Sequence, residues 1–177
     1  DVTCFNGSDG YIEIYPDGGV EPYTYTWSNG SNNDYITDLQ SGKYYCTLSD
    51  NNGIIYVDSM IINEPDQIEV SYTKTDASCF GGKDADIDLS VSGGTQPYYY
   101  QWYDPDYALA GVTQDIDSLR AGEYIVQVRD TNGCHSQATI EIEQPTAIKI
   151  DITTDDIECY GEATGAVTSV VSGGTPD

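Results

Sequence analysis

Basic residues are scarce in this chain: 6 Lys plus Arg stand against 30 Asp plus Glu, and the formal net charge is −24 over 177 residues. A surface so acidic repels phosphate backbones and anionic lipid headgroups, because both need clustered Lys and Arg to displace their counterions. Neither nucleic acid nor a membrane surface is an expected partner. No apolar run approaches the roughly 18 residues of a membrane span, and no charged-then-apolar leader opens the chain. Because Asp1 falls inside a pattern that returns intact later, the chain is expected to be a piece of a longer protein. Imidazole is represented by His135 alone, which leaves no repeated Ser-His-Asp or Cys-His arrangement. Nothing keeps helical spacing beyond a turn, so there is no helix N-terminus to hold a phosphate. Paired carboxylates are expected by chance among so many acids and do not mark a hydrolase. The chain is therefore not expected to be an enzyme.

What the chain does have is internal repetition. Cys4-Phe5-Asn6-Gly7 returns as Cys79-Phe80-Gly81-Gly82 and as Cys159-Tyr160-Gly161-Glu162, at offsets of 75 and 80 residues. Gly18-Gly19, Gly93-Gly94 and Gly173-Gly174 keep step with the cysteines, and Pro22-Tyr-x-Tyr-x-Trp27 returns as Pro97-Tyr-x-Tyr-x-Trp102. Leu39-x-x-Gly42-x-Tyr44 returns 80 residues later as Leu119-x-x-Gly122-x-Tyr124, which places a five-residue insertion between Trp102 and Leu119. Asp50-x-Asn-Gly53 matches Asp130-x-Asn-Gly133, and Glu64-Pro65 matches Gln144-Pro145.

Each repeat reads as short strands punctuated by Gly, Pro and Asn. Alternation places Ile68, Val70, Tyr72, Ile87, Leu89, Val91, Tyr98, Tyr100, Trp102, Tyr124, Val126, Val128, Ile140 and Ile142 on inward faces. The first repeat's set is Ile12, Ile14, Tyr23, Tyr25, Trp27, Tyr44, Cys46 and Leu48. About seven strands with one buried face per sheet make a small β-sandwich, and the Trp and the Leu-x-x-Gly-x-Tyr run fall where immunoglobulin-like folds keep a core Trp and a tyrosine corner. The expected fold is all-β, with tandem immunoglobulin-like β-sandwich repeats in an elongated array. Residues 1–64 form a first sandwich whose N-terminal strand is truncated, 65–144 a second, and 145–177 the start of a third. The Pro-restricted linkers Glu64-Pro65-Asp66 and Gln144-Pro145-Thr146 are too short to act as free tethers.

Two cysteines in each of the first two repeats, Cys4 with Cys46 and Cys79 with Cys134, suggest one disulfide per repeat and an oxidising compartment, leaving Cys159 without a partner in the chain. The pairing stays open, because Cys134 opens a strand at the opposite end from the Cys79 turn and bridging needs Cα atoms within about 7 Å. Free buried thiols are the other reading.

The Asn-Gly turns at Asp50 and Asp130 read first as type I′ hairpin turns. A second reading puts calcium between the repeats, on Glu64, Asp66 and Asp130, since hard cations favour clustered carboxylates; Asp104-Pro-Asp106 has the same status. No other cofactor is expected. Tyr99, Tyr103 and Tyr107 lie off the inward face or in the insertion, and are the aromatic candidates for a ligand surface.

Together, Cys-Phe-x-Gly, Gly-Gly-x-x-Pro-Tyr-x-Tyr-x-Trp, Leu-x-x-Gly-x-Tyr and Asp-x-Asn-Gly-Cys resemble the SprB-type repeat of very large cell-surface proteins of Bacteroidota, gliding-motility adhesins among them. The resemblance spans essentially the whole chain, though the first repeat carries Ile54 where Asn-Gly-Cys would place its cysteine. It implies type IX export, a place on the outer cell surface, and contact with a substratum or polysaccharide. It also implies O-glycosylation at Asp-Ser-hydrophobic sites, which Ser59 and Ser118 match. The expected role is a stalk segment of a secreted adhesin that projects a binding tip, with neighbouring repeats of the same chain as partners. A glycan-binding module and an accessory domain of an exported enzyme are the alternatives.

Overall fold

The computed structural model describes residues 1–161 and 163–175. Glu162, the last residue of the third Cys motif, and residues 176–177 of the third repeat lie outside the described residues. Every regular element is a strand, as the period-two patterning requires, and no α-helix occurs among the described residues.

In the first repeat, β1 (Gly10–Glu13) pairs with β3 (Tyr35–Leu39), while β2 (Thr24–Trp27), β4 (Gly42–Ser49) and β5 (Ile55–Ile62) form a second sheet in the order β2-β4-β5. All of these pairs are antiparallel. Val2, Ile12, Trp27, Ile36, Leu39, Cys46 and Ile62 close the core between the two sheets, with Ile14, Tyr25, Tyr44 and Met60 packed against them. Trp27 stands opposite Cys46 in the β2–β4 register, and its indole Nε1–H donates to the Asn33 carbonyl at 2.8 Å. That bond allows the largest side chain to be buried without an orphan donor.

The second repeat has the fuller set. Strands β6 (Glu69–Thr75), β7 (Ala85–Ser92) and β10 (Ile116–Leu119) lie in the order β10-β7-β6. Opposite them, β8 (Tyr99–Tyr103), β9 (Leu109–Gly111), β11 (Gly122–Arg129) and β12 (His135–Ile142) follow the order β12-β11-β8-β9. Seven strands in two sheets are the immunoglobulin-like sandwich that the sequence implies. The inserted residues add β9, a short strand on the edge of β8. Ile87, Leu89, Trp102, Tyr124, Val126, Val128, Ile140 and Ile142 are all buried. Tyr44 and Tyr124 each donate their hydroxyl to a backbone carbonyl four residues upstream, of Gln40 at 3.1 Å and of Arg120 at 3.2 Å, so both repeats have a tyrosine corner.

Of the expected inward residues, Tyr72 departs most: it is 44% exposed. β6 is an edge strand of its sheet. The third repeat is described as a hairpin of β13 (Lys149–Asp155) and β14 (Ala166–Ser172). Ile150, Ile152, Val167 and Val171 stay exposed there, because a two-stranded sheet has no second layer to bury them.

The chain divides into two compact units, neither of which follows the repeat boundaries. One comprises residues 1–70, 91–99 and 128–136, and the other comprises residues 71–90, 100–127 and 137–177. The first unit thus gathers one whole repeat with the linker and the loops of the second repeat that adjoin it.

Candidate functional site: the repeat junction

Inside that first unit several specific interactions converge on the linker between the first two repeats. Cys4, in the loop before β1, is joined by a disulfide to Cys134, the residue before β12, with Cα atoms 5.6 Å apart and a sequence separation of 130. The pairing differs from the expectation of one bridge within each repeat. Cys46 sits mid-strand in β4, buried beside Trp27 as a free thiol, and Cys79 and Cys159 are free and exposed.

The reason is geometric. The Cys4 loop is tied to the last residues of its own repeat: Val2 N–H donates to the Asn63 carbonyl at 2.9 Å, and Asn6 N–H to Glu64 Oε2 at 2.7 Å. Cys46 pairs with Asp58, four positions along the β4–β5 ladder from the Gly42–Ile62 end, which is about 13 Å at the rise of a strand. In the second repeat, the Cys79 loop is tied to Glu143 and Gln144 just after β12, whereas Cys134 lies just before it. Eight residues of β12, about 27 Å of strand, separate those ends. Each motif cysteine therefore faces the linker, and the bridge crosses the repeat boundary. Counting cysteines repeat by repeat hid this. The readable sign was Ile54, which leaves Cys4 with no Asn-Gly-Cys partner in its own repeat.

Asp130 anchors the turn that presents Cys134. It is 1% exposed, and both of its oxygens are spent on backbone amides. Oδ1 accepts from Asn132 N and Cys134 N, each at 2.9 Å, and Oδ2 accepts from Thr95 N at 2.9 Å. Asp50 makes the same set, with Asn52, Ile54 and Val20 as donors. Asp104 holds Asp106 N and Ala108 N in the same way. These turns are not type I′. Asp50 pairs across to Ile54, Gly53 N–H donates back to the Asp50 carbonyl, and positive φ is confined to Gly53, at 78°. This is a three-residue loop, a type I turn closed by a left-handed residue; Gly133 and Tyr107 fill the left-handed place in the other two.

Those bonds also decide the carboxylates. Glu64 accepts from Asn6 and Asp130 from three amides, while Asp66 is exposed and uses its carbonyl to accept from Gly94 N at 2.7 Å. Among the described residues no group of three or more His, Cys, Asp or Glu side chains is placed to hold a metal ion, so Glu64, Asp66 and Asp130 are not brought together as calcium ligands. Asp104 and Asp106 instead flank Arg120, which pairs with both.

The linker is held from the other side by glycines. A Cβ on Gly93 would lie 1.9 Å from the Gln67 carbonyl oxygen, and one on Gly94 2.7 Å from the Ile68 side chain. Only residues without a side chain allow the Gly-Gly turn to pass this close to the linker. A cleft of about 420 Å³ adjoins the bridge, lined by Phe5, Pro65, Ile68, Gly94 and His135 among others. A second groove, of about 560 Å³, opens in the first repeat between Ile14 and the inner faces of β4 and β5, with Leu48, Cys46 and Met60 on its floor and Glu13, Asp17 and Asp58 around it. Burial raises the Cys46 thiol above its ordinary value.

The remaining candidates lie apart. Tyr99 is half exposed beneath the Arg129 guanidinium, 5.9 Å from its ring centre. Tyr103 is half-buried on β8 opposite Leu109 of β9, and Tyr107 stands exposed at the tip of the inserted turn. Ser59 lies mid-strand in β5 opposite Tyr45. Ser118 is an exposed left-handed residue, at φ 58°, whose hydroxyl donates to Asp117 Oδ1.

No curated protein matches the chain. Among solved structures, the amphioxus IgVJ-C2 molecule is similar at 12% identity and a TM-score of 0.40, over 77% of this chain and 97% of that one. A Dscam structure concerned with isoform specificity matches at 16% identity and a TM-score of 0.37, over 80% of this chain and 42% of that one. The eight N-terminal Ig domains of DSCAM isoform 1.30.30 match at 15% identity and 0.39, over 88% and 26%. The chain spans less than half the length of both of these Dscam chains. The family model of the SprB repeat matches residues 1–32 and 71–106, the two stretches that carry Cys-Phe-x-Gly and Pro-Tyr-x-Tyr-x-Trp, so over these stretches the chain is similar to that repeat.

Proposed function

We propose that this chain is a stalk segment of a large secreted adhesin, a non-enzymatic series of sandwiches that holds a binding tip away from the cell. The observation that carries the reading is the junction: a disulfide, a capped turn and a glycine pair all converge on one short linker. Covalent and packed restraint at a linker favours reach over flexing. The strong negative charge keeps such a surface soluble and discourages sheet edges from pairing between molecules. Type IX export, gliding motility and a place on the outer face of a Gram-negative cell belong to this proposal by family resemblance. So do contact with polysaccharide or substratum and glycosylation of Ser59 and Ser118. The stalk is read as working without a cofactor, since Glu64 and Asp130 are engaged by amides and Asp104 and Asp106 by Arg120; stiffening by calcium is the competing expectation.

Small-angle X-ray scattering in calcium and again in EDTA tests this. The expected result is the same extended profile in both. A compact particle would contradict the stalk, and collapse in EDTA alone would return calcium to the junction. Saturable perturbation of Tyr99 or Tyr107 by polysaccharide, read by NMR, would favour a glycan-binding module instead.

A further inference from the structure

The bridge between Cys4 and Cys134 belongs, by its geometry, to a series. Cys79 is the counterpart of Cys4, and its loop is built in the same way. Val2 N donates to Asn63 O at 2.9 Å, as Ala77 N does to Glu143 O at 3.0 Å. Asn6 N donates to Glu64 Oε2 at 2.7 Å, as Gly81 N does to Gln144 Oε1 at 2.7 Å. Gly7 and Gly82 close the same turn on the carbonyls of Cys4 and Cys79, at 2.8 and 2.9 Å. The linker that follows is also duplicated: Gly94 N donates to Asp66 O at 2.7 Å and Gly174 N to Thr146 O at 2.8 Å. A Cβ on Gly173 would meet the Ala147 carbonyl oxygen at 2.1 Å, as one on Gly93 meets that of Gln67 at 1.9 Å. The second junction thus repeats the first as far as the third Gly-Gly turn. Its cysteine, bonded in the first copy, is here a free exposed thiol, and Phe80, the counterpart of the cleft-lining Phe5, is 61% exposed.

We infer that Cys79 is a cross-linking site, and that its partner is a cysteine placed after the Asn-Gly turn of the following repeat, where Cys134 stands in the second. Bridges of this array would then run from the motif cysteine of one repeat to the Asn-Gly-Cys of the next, a covalent ladder along the chain. Ile54 fits the rule: lacking a thiol at the Asn-Gly position, the first repeat accepts no bridge from a repeat before it. The pattern does not depend on whether the array serves as a stalk.

Formation needs a disulfide oxidant, for which glutathione disulfide is the probe. The Cys79 thiolate attacks one oxidant sulfur, the oxidant S–S bond breaks and one glutathione thiolate leaves. The partner thiolate then attacks the Cys79 sulfur and expels the second glutathione. In balance, two thiols lose two protons and two electrons, and the oxidant is reduced to two thiols.

The test extends the chain with sequence of known behaviour. Residues 1–144 are followed by a second copy of residues 65–144 bearing Cys79→Ser, oxidised with glutathione disulfide, alkylated and digested without reduction. Two cross-linked peptide pairs are expected, Cys4 with Cys134 and Cys79 with the appended copy's Cys134, leaving Cys46 as the alkylated cysteine. The first pair reports that the junction has folded. Its presence beside an alkylated Cys79 would overturn the ladder, as would Cys79 paired with the Cys134 of its own repeat. Absence of both pairs would overturn the crossed bridge from which the ladder is extended.

Discussion

Cys4 and Cys134 are bonded across a repeat boundary, so that the opening loop of one sandwich is tied to the turn before the last strand of the next. The bridge closes a span of 130 residues, and in the chain-entropy picture it acts on the unfolded ensemble of both repeats together. Cys134→Ser is expected to cost roughly 2–4 kcal/mol and to expose the Glu64-Pro65-Asp66 linker to proteolysis. Urea unfolding and limited digestion of the two proteins check this. Cys79→Ser, in a chain where Cys79 is free, should leave both readouts unchanged.

Asp130 and Asp50 perform the same task at different depths. Asp130→Ala would strand three backbone donors in a buried place and is expected to cost about 3 kcal/mol. Asp50→Ala, on a half-buried turn with the same partners, should cost nearer to about 1 kcal/mol, since water can replace the carboxylate. Thermal denaturation of the two variants gives the ordering. Equal effects would show that the Asp130 site is less dry than its burial implies.

Glycine is required at Gly93 by space as well as by conformation. Gly93→Ala drives a Cβ into the Gln67 carbonyl and is expected to destabilise by at least about 2 kcal/mol. Gly133→Ala, also at positive φ but with nothing within 4 Å of the added carbon, should cost only about 1 kcal/mol. The difference between the two, measured by urea titration, separates the close approach of linker and turn from backbone strain.

Much of this was legible from period and spacing. Trp27, Trp102, Tyr44 and Tyr124 could be placed in the core because alternation and the Leu-x-x-Gly-x-Tyr run act over a few residues, where sequence and geometry are tightly coupled. Tyr72 was misplaced by the same logic, since alternation says which face a residue takes and not whether a second layer covers it. The disulfide was illegible for a different reason. Parity counts thiols within a repeat, whereas the bond is chosen by which strand ends meet at the linker. Asp130 looked like a ligand because composition cannot show that three amides already occupy it.

Acid should weaken the fold through a small set of carboxylates. Asp76 is held below its ordinary value of 3.8 by the Glu143 amide and then by Lys74, and Asp9 and Asp84 by hydrogen bonds from Thr3 and Ser78. A folded-state value below the unfolded one contributes stability that is fully present above 3.8 and is lost as pH falls through the folded value. Protonation of the other acids relieves repulsion at the same time, so the comparison must be made against a variant. Asp76→Asn is expected to be less stable than the parent at pH 6 and to approach it as pH falls below 3.8. A gap that stays constant from pH 6 to about 2.5 would contradict the assignment.

The most direct measurement is a disulfide map of the chain itself, alkylated and digested without reduction and read by mass spectrometry. The predicted result is one cross-linked pair, Cys4 with Cys134, and alkylated Cys46, Cys79 and Cys159. A peptide joining Cys4 to Cys46, or Cys79 to Cys134, would place the bridges within repeats and contradict a covalent junction between them.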